Sequence, residues 1–153
     1  MSISIQHLSK SYGEQLALND ISLEIPSGQI VGFLGPNGAG KSTTMKILTG
    51  YLPQTSGTVK VCGYNIDEKP LEVKKRIGYL PESNPLYKDM YVREYLSYVG
   101  KIFQLKDINA RVEEMILLTG LKREQDKKIH QLSKGYKQRV GLAQAMIHNP
   151  EVL

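Results

Sequence analysis

The 153-residue chain has no tryptophan, two phenylalanines and a single cysteine, Cys62. One cysteine excludes a disulfide framework and a thiolate metal site, and makes a reducing compartment the default expectation. The longest apolar runs, Gln29–Leu34 and Met115–Leu118, fall far short of the roughly 18 residues a membrane-spanning helix needs. Met1–Gln6 lacks a basic segment and a signal-like core, so the chain is expected to be soluble or at most peripheral. No repeat and no low-complexity block occurs, which excludes a solenoid. With 41% hydrophobic residues, disorder is excluded, and 14 scattered glycines exclude collagen. Lysine and arginine exceed aspartate and glutamate by 20 − 15 = 5, too small an excess to imply a nucleic-acid partner.

What is present reads as α/β. Ile3, Ile5 and Leu8 roughly alternate, Gly13 turns the chain, and Leu16–Ile25 follows as a second strand closed by Pro26-Ser27-Gly28. Gln29–Leu34 has the unbroken apolar pattern of a strand buried on both faces. A helix is expected from about Ser42 to Leu48, ended by Gly50. Short strands are expected at Thr58–Cys62 and Ile77–Leu80, with a short helix near Leu71–Arg76 between them. Beyond Pro81 the pattern turns helical. Val92, Leu96, Val99 and Phe103 form one stripe, Ile108, Val112, Met115 and Ile116 a second, and Lys134–His148 a third helix.

The strongest motif is Gly35-Pro36-Asn37-Gly38-Ala39-Gly40-Lys41-Ser42-Thr43, which fits G-x-x-x-x-G-K-[ST] between an expected strand and a helix. Glycines let backbone N–H groups approach phosphate oxygens, and the helix start adds partial positive charge. Lys41 supplies a full charge for β- and γ-phosphates, the Ser42 hydroxyl a ligand for Mg²⁺, and Thr43 a further phosphate hydrogen bond. No Asn-Lys-x-Asp and no Asp-x-x-Gly occurs, which argues against a GTPase, and the glycine spacing fails the dinucleotide pattern. A second motif, Leu132-Ser133-Lys134-Gly135-Tyr136-Lys137-Gln138-Arg139, opens the third helix with Ser133 as a natural N-cap.

Together these motifs resemble the ATP-binding subunit of an ABC transporter, along the whole chain. The resemblance implies a P-loop NTPase (RecA-like) core with an N-terminal antiparallel β subdomain and a helical insert bearing the signature motif. The expected division is 1–85 for the β subdomain and P-loop core and 86–149 for the helical subdomain. Residues 150–153 then begin the Walker B strand, so the fold is expected to be incomplete at its C-terminus. By the same resemblance Tyr12 corresponds to the aromatic residue that stacks on adenine. Ile77–Glu82 is similar to the Q-loop, whose last position reaches Mg²⁺ and attacking water, and residues 132–139 are similar to the family signature. Ser133 and Gly135 then act on ATP held by a second ATP-binding subunit in a head-to-tail dimer, a homodimer by expectation. Integral membrane subunits would be separate partners, and the location the cytoplasmic face of the cell membrane. Tyr79-Leu80-Pro81-Glu82 and Pro85-Leu86-Tyr87 look most like exporters of the multidrug and gliding-motility kind. A soluble ABC-type ATPase is the alternative, although no coiled-coil insert or tandem cassette is seen.

Three departures from the family pattern stand out. Lys134 and Tyr136 replace the usual Gly and Gln of the signature, and Glu82 replaces the usual Gln. A carboxylate still ligates Mg²⁺ but donates no amide proton. The chain is expected to supply the phosphate cradle and to stop before the family's catalytic Glu, so nucleotide binding without turnover is expected of it. His7, His130 and His148 match no catalytic motif, and a helix-end role suits His148.

Overall fold

The computed structural model describes residues 2–153, which form two compact units, 2–76 and 77–153. In the first, a four-stranded antiparallel sheet has the order β2-β1-β3-β4, from β1 (Ile3–Tyr12), β2 (Gln15–Ile25), β3 (Ser56–Val61) and β4 (Tyr64–Asn65). The uneven spacing of Ile5 and Leu8 has a structural cause. Both are fully buried, which three-residue spacing permits on one face only if a residue is extruded between them. The register shifts between Ile5 and Leu8, and His7 takes φ +52°. Asp20 on β2 takes φ +50°, and its carboxylate meets His7 Nδ1 at 2.7 Å. A Cβ on Gly57 would lie 2.4 Å from the His7 carbonyl oxygen, so the bulge requires glycine opposite it.

Helix α1 (Lys41–Leu48) packs Ile47 and Leu48 inward and ends at Gly50, φ +69°. Helix α2 (Pro70–Lys74) begins with the proline that a first turn tolerates. Between β2 and α1 the structure corrects an expectation. Residues 29–34 pair with no strand, and Ile30 and Leu34 are fully exposed. A parallel strand is held by ladder hydrogen bonds to a neighbouring strand and by elements that cover both faces of its sheet. Among the described residues no strand is paired beside it, so its apolarity does not bury it. The expected strand at Ile77–Leu80 likewise reduces to one parallel bridge, Ile77 to Val152, with the Gly78 N–H donating to the Val152 carbonyl at 2.8 Å.

In the second unit the expected stripes become α3 (Val92–Ile102), α4 (Ile108–Leu118) and α5 (Lys134–Met146). Val92, Leu96, Val112, Ile116, Val140 and Ala143 are sealed in its core. Cutting such a Leu or Ile to Ala costs about 2–5 kcal/mol. Asp107 caps α4 through the Ala110 N–H at 3.2 Å. Arg111 on α4 closes the end of α5, donating from Nη2 to the Met146 carbonyl at 2.7 Å and from Nε to that of Ile147 at 2.8 Å. These charge-assisted contacts complement the negative end of the α5 dipole.

Candidate nucleotide site

The turn at Gly13 folds β2 back along β1 and brings the end of this hairpin to the start of α1. Leu18 is the anchor. It is almost fully buried, and a Cβ on Gly40 would fall 2.3 Å from its Cδ2. Gly40 has φ +84° and is the N-cap of α1 without a side-chain cap, so the first N–H groups of the helix keep their donors for an outside acceptor. Gly38 also has φ +84°, and the Ala39 N–H closes the loop on the Pro36 carbonyl at 3.2 Å.

Lys41 extends back over this loop. Its Nζ donates to the Gly35 carbonyl at 2.5 Å and to the Pro36 carbonyl at 2.7 Å. Both acceptors are neutral carbonyls, so neither contact offsets the positive charge that Lys41 brings to the lining of an open pocket of about 410 Å³. The pocket is lined from the loop and α1 by Asn37, Gly38, Gly40, Lys41, Ser42 and Thr43, and from the hairpin by Tyr12, Gln15, Leu16 and Ala17. Tyr12 is 47% exposed, so its ring is not consumed by the core, and Lys10 Nζ stands 5.3 Å from the ring centroid. One rim thus offers an aromatic face and the other a cation, a helix start and two hydroxyls. That donor set fits a base at one end and phosphate with Mg²⁺ at the other. Gln15, Leu16 and Ala17 belong to no motif; the signal for them is the tight turn at Gly13, which places them across from Tyr12.

Glu82, Ser133 and Gly135 lie in the second unit. Ser133 takes extended angles and accepts the Tyr136 N–H at 3.4 Å, the N-cap expected of it. A Cβ on Gly135 would touch nothing, so nothing among the described residues demands glycine there. Lys134 is exposed, and Tyr136 packs against the helical core with the Arg139 guanidinium 5.3 Å from its ring centroid. Glu82 is exposed, and its carbonyl accepts from the Gln138 side-chain amide at 3.2 Å. His148 is more engaged than a helix-end role requires. Its Nε2 lies 3.0 Å from the Ile77 carbonyl, and its ring stacks on Phe103. Among the described residues no three His, Cys, Asp or Glu side chains gather as a metal site, and no helix is long and apolar enough to cross a membrane.

The chain is 40% identical over 153 residues to the uncharacterized ABC transporter ATP-binding protein YxlF of Bacillus subtilis, a match spanning 99% of this chain and 50% of that protein. It is 37% identical over 151 residues to the bacitracin transport ATP-binding protein BcrA of Bacillus licheniformis, again 99% of this chain and 49% of the relative. The chain therefore spans about half the length of the curated relatives it matches. Among solved structures it resembles an ATP-binding subunit of an ABC transporter, with TM-score 0.87 and 28% identity, covering 98% of this chain and 63% of the other. It also resembles the dimeric bacterial ABC transporter cassette MJ0796, with TM-score 0.84 and 28% identity, covering 97% and 70%. These neighbours carry the P-loop NTPase fold expected from the motifs. The model of the ABC transporter family matches residues 18–153, and the chain belongs to that family.

Proposed function

We propose that the chain is the nucleotide-binding part of an ATPase that drives transport through separate membrane-embedded subunits. The observation that carries this is that Tyr12 lines the same pocket as Asn37, Gly38 and Gly40–Thr43. Adenine stacks on the Tyr12 ring, the glycine loop from Gly35 to Gly40 wraps the phosphates, and Lys41 moves from the Gly35 and Pro36 carbonyls onto the β- and γ-phosphates. That exchange replaces two neutral acceptors by anionic ones, which favours nucleotide. The Ser42 hydroxyl would hold Mg²⁺, with the Glu82 carboxylate as a further ligand, and the ion would supply charge neutralisation at the phosphate oxygens. Ser133 and Gly135 serve ATP held by a second copy of the protein, and the open space around Gly135 suits an approach from outside. A dimeric structural neighbour and a neighbour bound to ADP and phosphate support both parts of this reading.

Export is the direction we infer, at the cytoplasmic face of the cell membrane. Relatives at 34% identity are named for Nod factor export and for linearmycin resistance. The test is Lys41→Ala. Mg-ATP affinity by calorimetry should disappear while circular dichroism stays as in the parent, because the one full positive charge of the cradle is gone. Unchanged affinity would refute the assignment.

A further inference from the structure

The loop Pro81–Pro85 carries Glu82, and α5 carries the Ser133–Tyr136 turn at its start. Two contacts tie this loop to the helix. The first is the Gln138 side-chain amide on the Glu82 carbonyl. The second is a notch at Gly141, on the same helix, filled by the side chain of Asn84. A Cβ on Gly141 would lie 1.6 Å from Asn84 Nδ2 and 2.7 Å from Leu80 Cδ1. Gly141 is a buried helical residue without a positive φ, so its backbone would suit any residue, and only the space demands glycine.

The seat is made by shape more than by hydrogen bonding. Asn84 Nδ2 donates to the Lys137 carbonyl at 3.5 Å, the long limit for such a bond. Turning the amide over would set two oxygens against each other, so this orientation is fixed. Asn84 Oδ1 is then buried, and no group among the described residues donates to it. A buried amide oxygen left without a donor carries a penalty that disappears when it reaches water. The contact is therefore one that holds by fit and releases at little cost.

We propose that Asn84 is a positioning residue, a latch that seats the Glu82 loop on α5 so that Glu82 and the Ser133–Gly135 turn shift together. This rests on the proposed function, in which Glu82 serves nucleotide held by this chain and the Ser133 turn serves nucleotide held by the partner copy. Coupling between two sites requires an element with two arrangements that both sites bias, and the seated and unseated Asn84 side chain is such an element.

Gly141→Ala tests the latch in the full-length protein. Its methyl occupies the place of Asn84 Nδ2 and expels the amide, whereas alanine by itself favours the helix. Three quantities are read: ATP affinity by calorimetry, ATP-driven dimerisation by sedimentation, and the thermal midpoint. Gly141→Ala should bind ATP like the parent, need about fivefold or more ATP to dimerise, and melt no lower. In an Asn84→Ala background, Gly141→Ala should change dimerisation no further, since the amide is gone and only the flexible Cδ1 end of Leu80 has to give way. Dimerisation like the parent in Gly141→Ala would overturn the latch, as would a loss that persists in the Asn84→Ala background or tracks a fall in thermal midpoint. A parent protein that binds no ATP would overturn the proposed function and the latch with it. A parent that binds and dimerises beside an indistinguishable Gly141→Ala would overturn the latch alone.

Discussion

The Phe103 ring and the His148 imidazole lie face to face, with centroids 3.9 Å apart and planes 4° from parallel. Stacking fixes the plane of the imidazole, and the Ile77 carbonyl 3.0 Å from Nε2 fixes which nitrogen carries the proton. Nδ1 is then a buried acceptor to which no group among the described residues donates. Protonation would place a charge beside an aromatic face and near the Arg111 guanidinium.

A pH dependence of stability follows. Burial holds the His148 imidazole below its usual 6.5; the bond to Ile77 opposes this, and the Arg111 charge adds to it. The folded form thus prefers the neutral ring. Its contribution to stability is complete above the unfolded value and is lost as pH falls below it, because the unfolded chain takes up the proton first. Urea midpoints measured from about pH 8 to 5 should fall for the parent and fall less for His148→Gln. Parallel curves would show that the ring titrates alike in both states.

The glycine loop gives a second prediction, through two glycines that share a backbone conformation and differ in surroundings. Gly38 and Gly40 both have φ +84°, but a Cβ on Gly38 meets nothing, whereas one on Gly40 meets Leu18 Cδ2 at 2.3 Å and the Ala17 carbonyl at 2.8 Å. Gly38→Ala should cost about 1–2 kcal/mol, from backbone strain alone. Gly40→Ala adds overpacking against a buried leucine and a rigid carbonyl, for a total of about 2–5 kcal/mol. Denaturant midpoints of the two variants give the comparison, and equal losses would mean that Leu18 moves aside freely.

These glycines also mark what a sequence can disclose. The cradle was legible because its residues are contiguous and their chemistry is local: glycines, Lys41 and Ser42 need only a turn and a helix start. The stripes of α3 and α4 were legible because helical spacing alone places Val92 beside Leu96 and Val112 beside Met115 and Ile116. Residues 29–34 were misread because apolarity reports a wish for burial, while pairing is decided by strands distant in sequence. The bulge at His7 carries no glycine to announce it, and only the buried Ile5–Leu8 pair hinted at an extra residue. Nothing in the surrounding residues marks the Asn84 seat at Gly141, since loop and helix meet only in the folded chain.

Tyr12 supplies a third prediction. Its ring is on the pocket, half exposed, and accompanied by the Lys10 ammonium. Tyr12→Ala should weaken ATP binding by about 1–3 kcal/mol, roughly 5- to 150-fold, the range for a base stacked on an aromatic ring. Tyr12→Phe should bind like the parent, since the ring and not the hydroxyl makes the contact. Calorimetry distinguishes these outcomes from a Tyr that merely ends a strand, for which Tyr12→Ala would leave affinity unchanged.

The last prediction concerns which nucleotide the Ser133 turn serves. Ser133 caps α5 through the Tyr136 N–H, and the turn's Gly135 faces open space. In the full-length protein, Ser133→Arg should leave monomer affinity for ATP unchanged and reduce ATP-driven dimerisation. Part of any effect could come from the lost cap, about 1 kcal/mol of helix stability. Ser133→Ala removes the cap without adding bulk, so a larger loss in Ser133→Arg isolates obstruction of the partner's phosphates. A mixed dimer of one Ser133→Arg copy and one Lys41→Ala copy then decides the matter. If the turn acts across the interface, both lesions fall in one composite site and the other site is whole, so one ATP is retained per dimer. If the turn acts on its own copy's nucleotide, each site carries one lesion and ATP-dependent association is lost. Counting nucleotides bound per sedimenting dimer separates the two, because only the first arrangement keeps an intact P-loop opposite an intact Ser133.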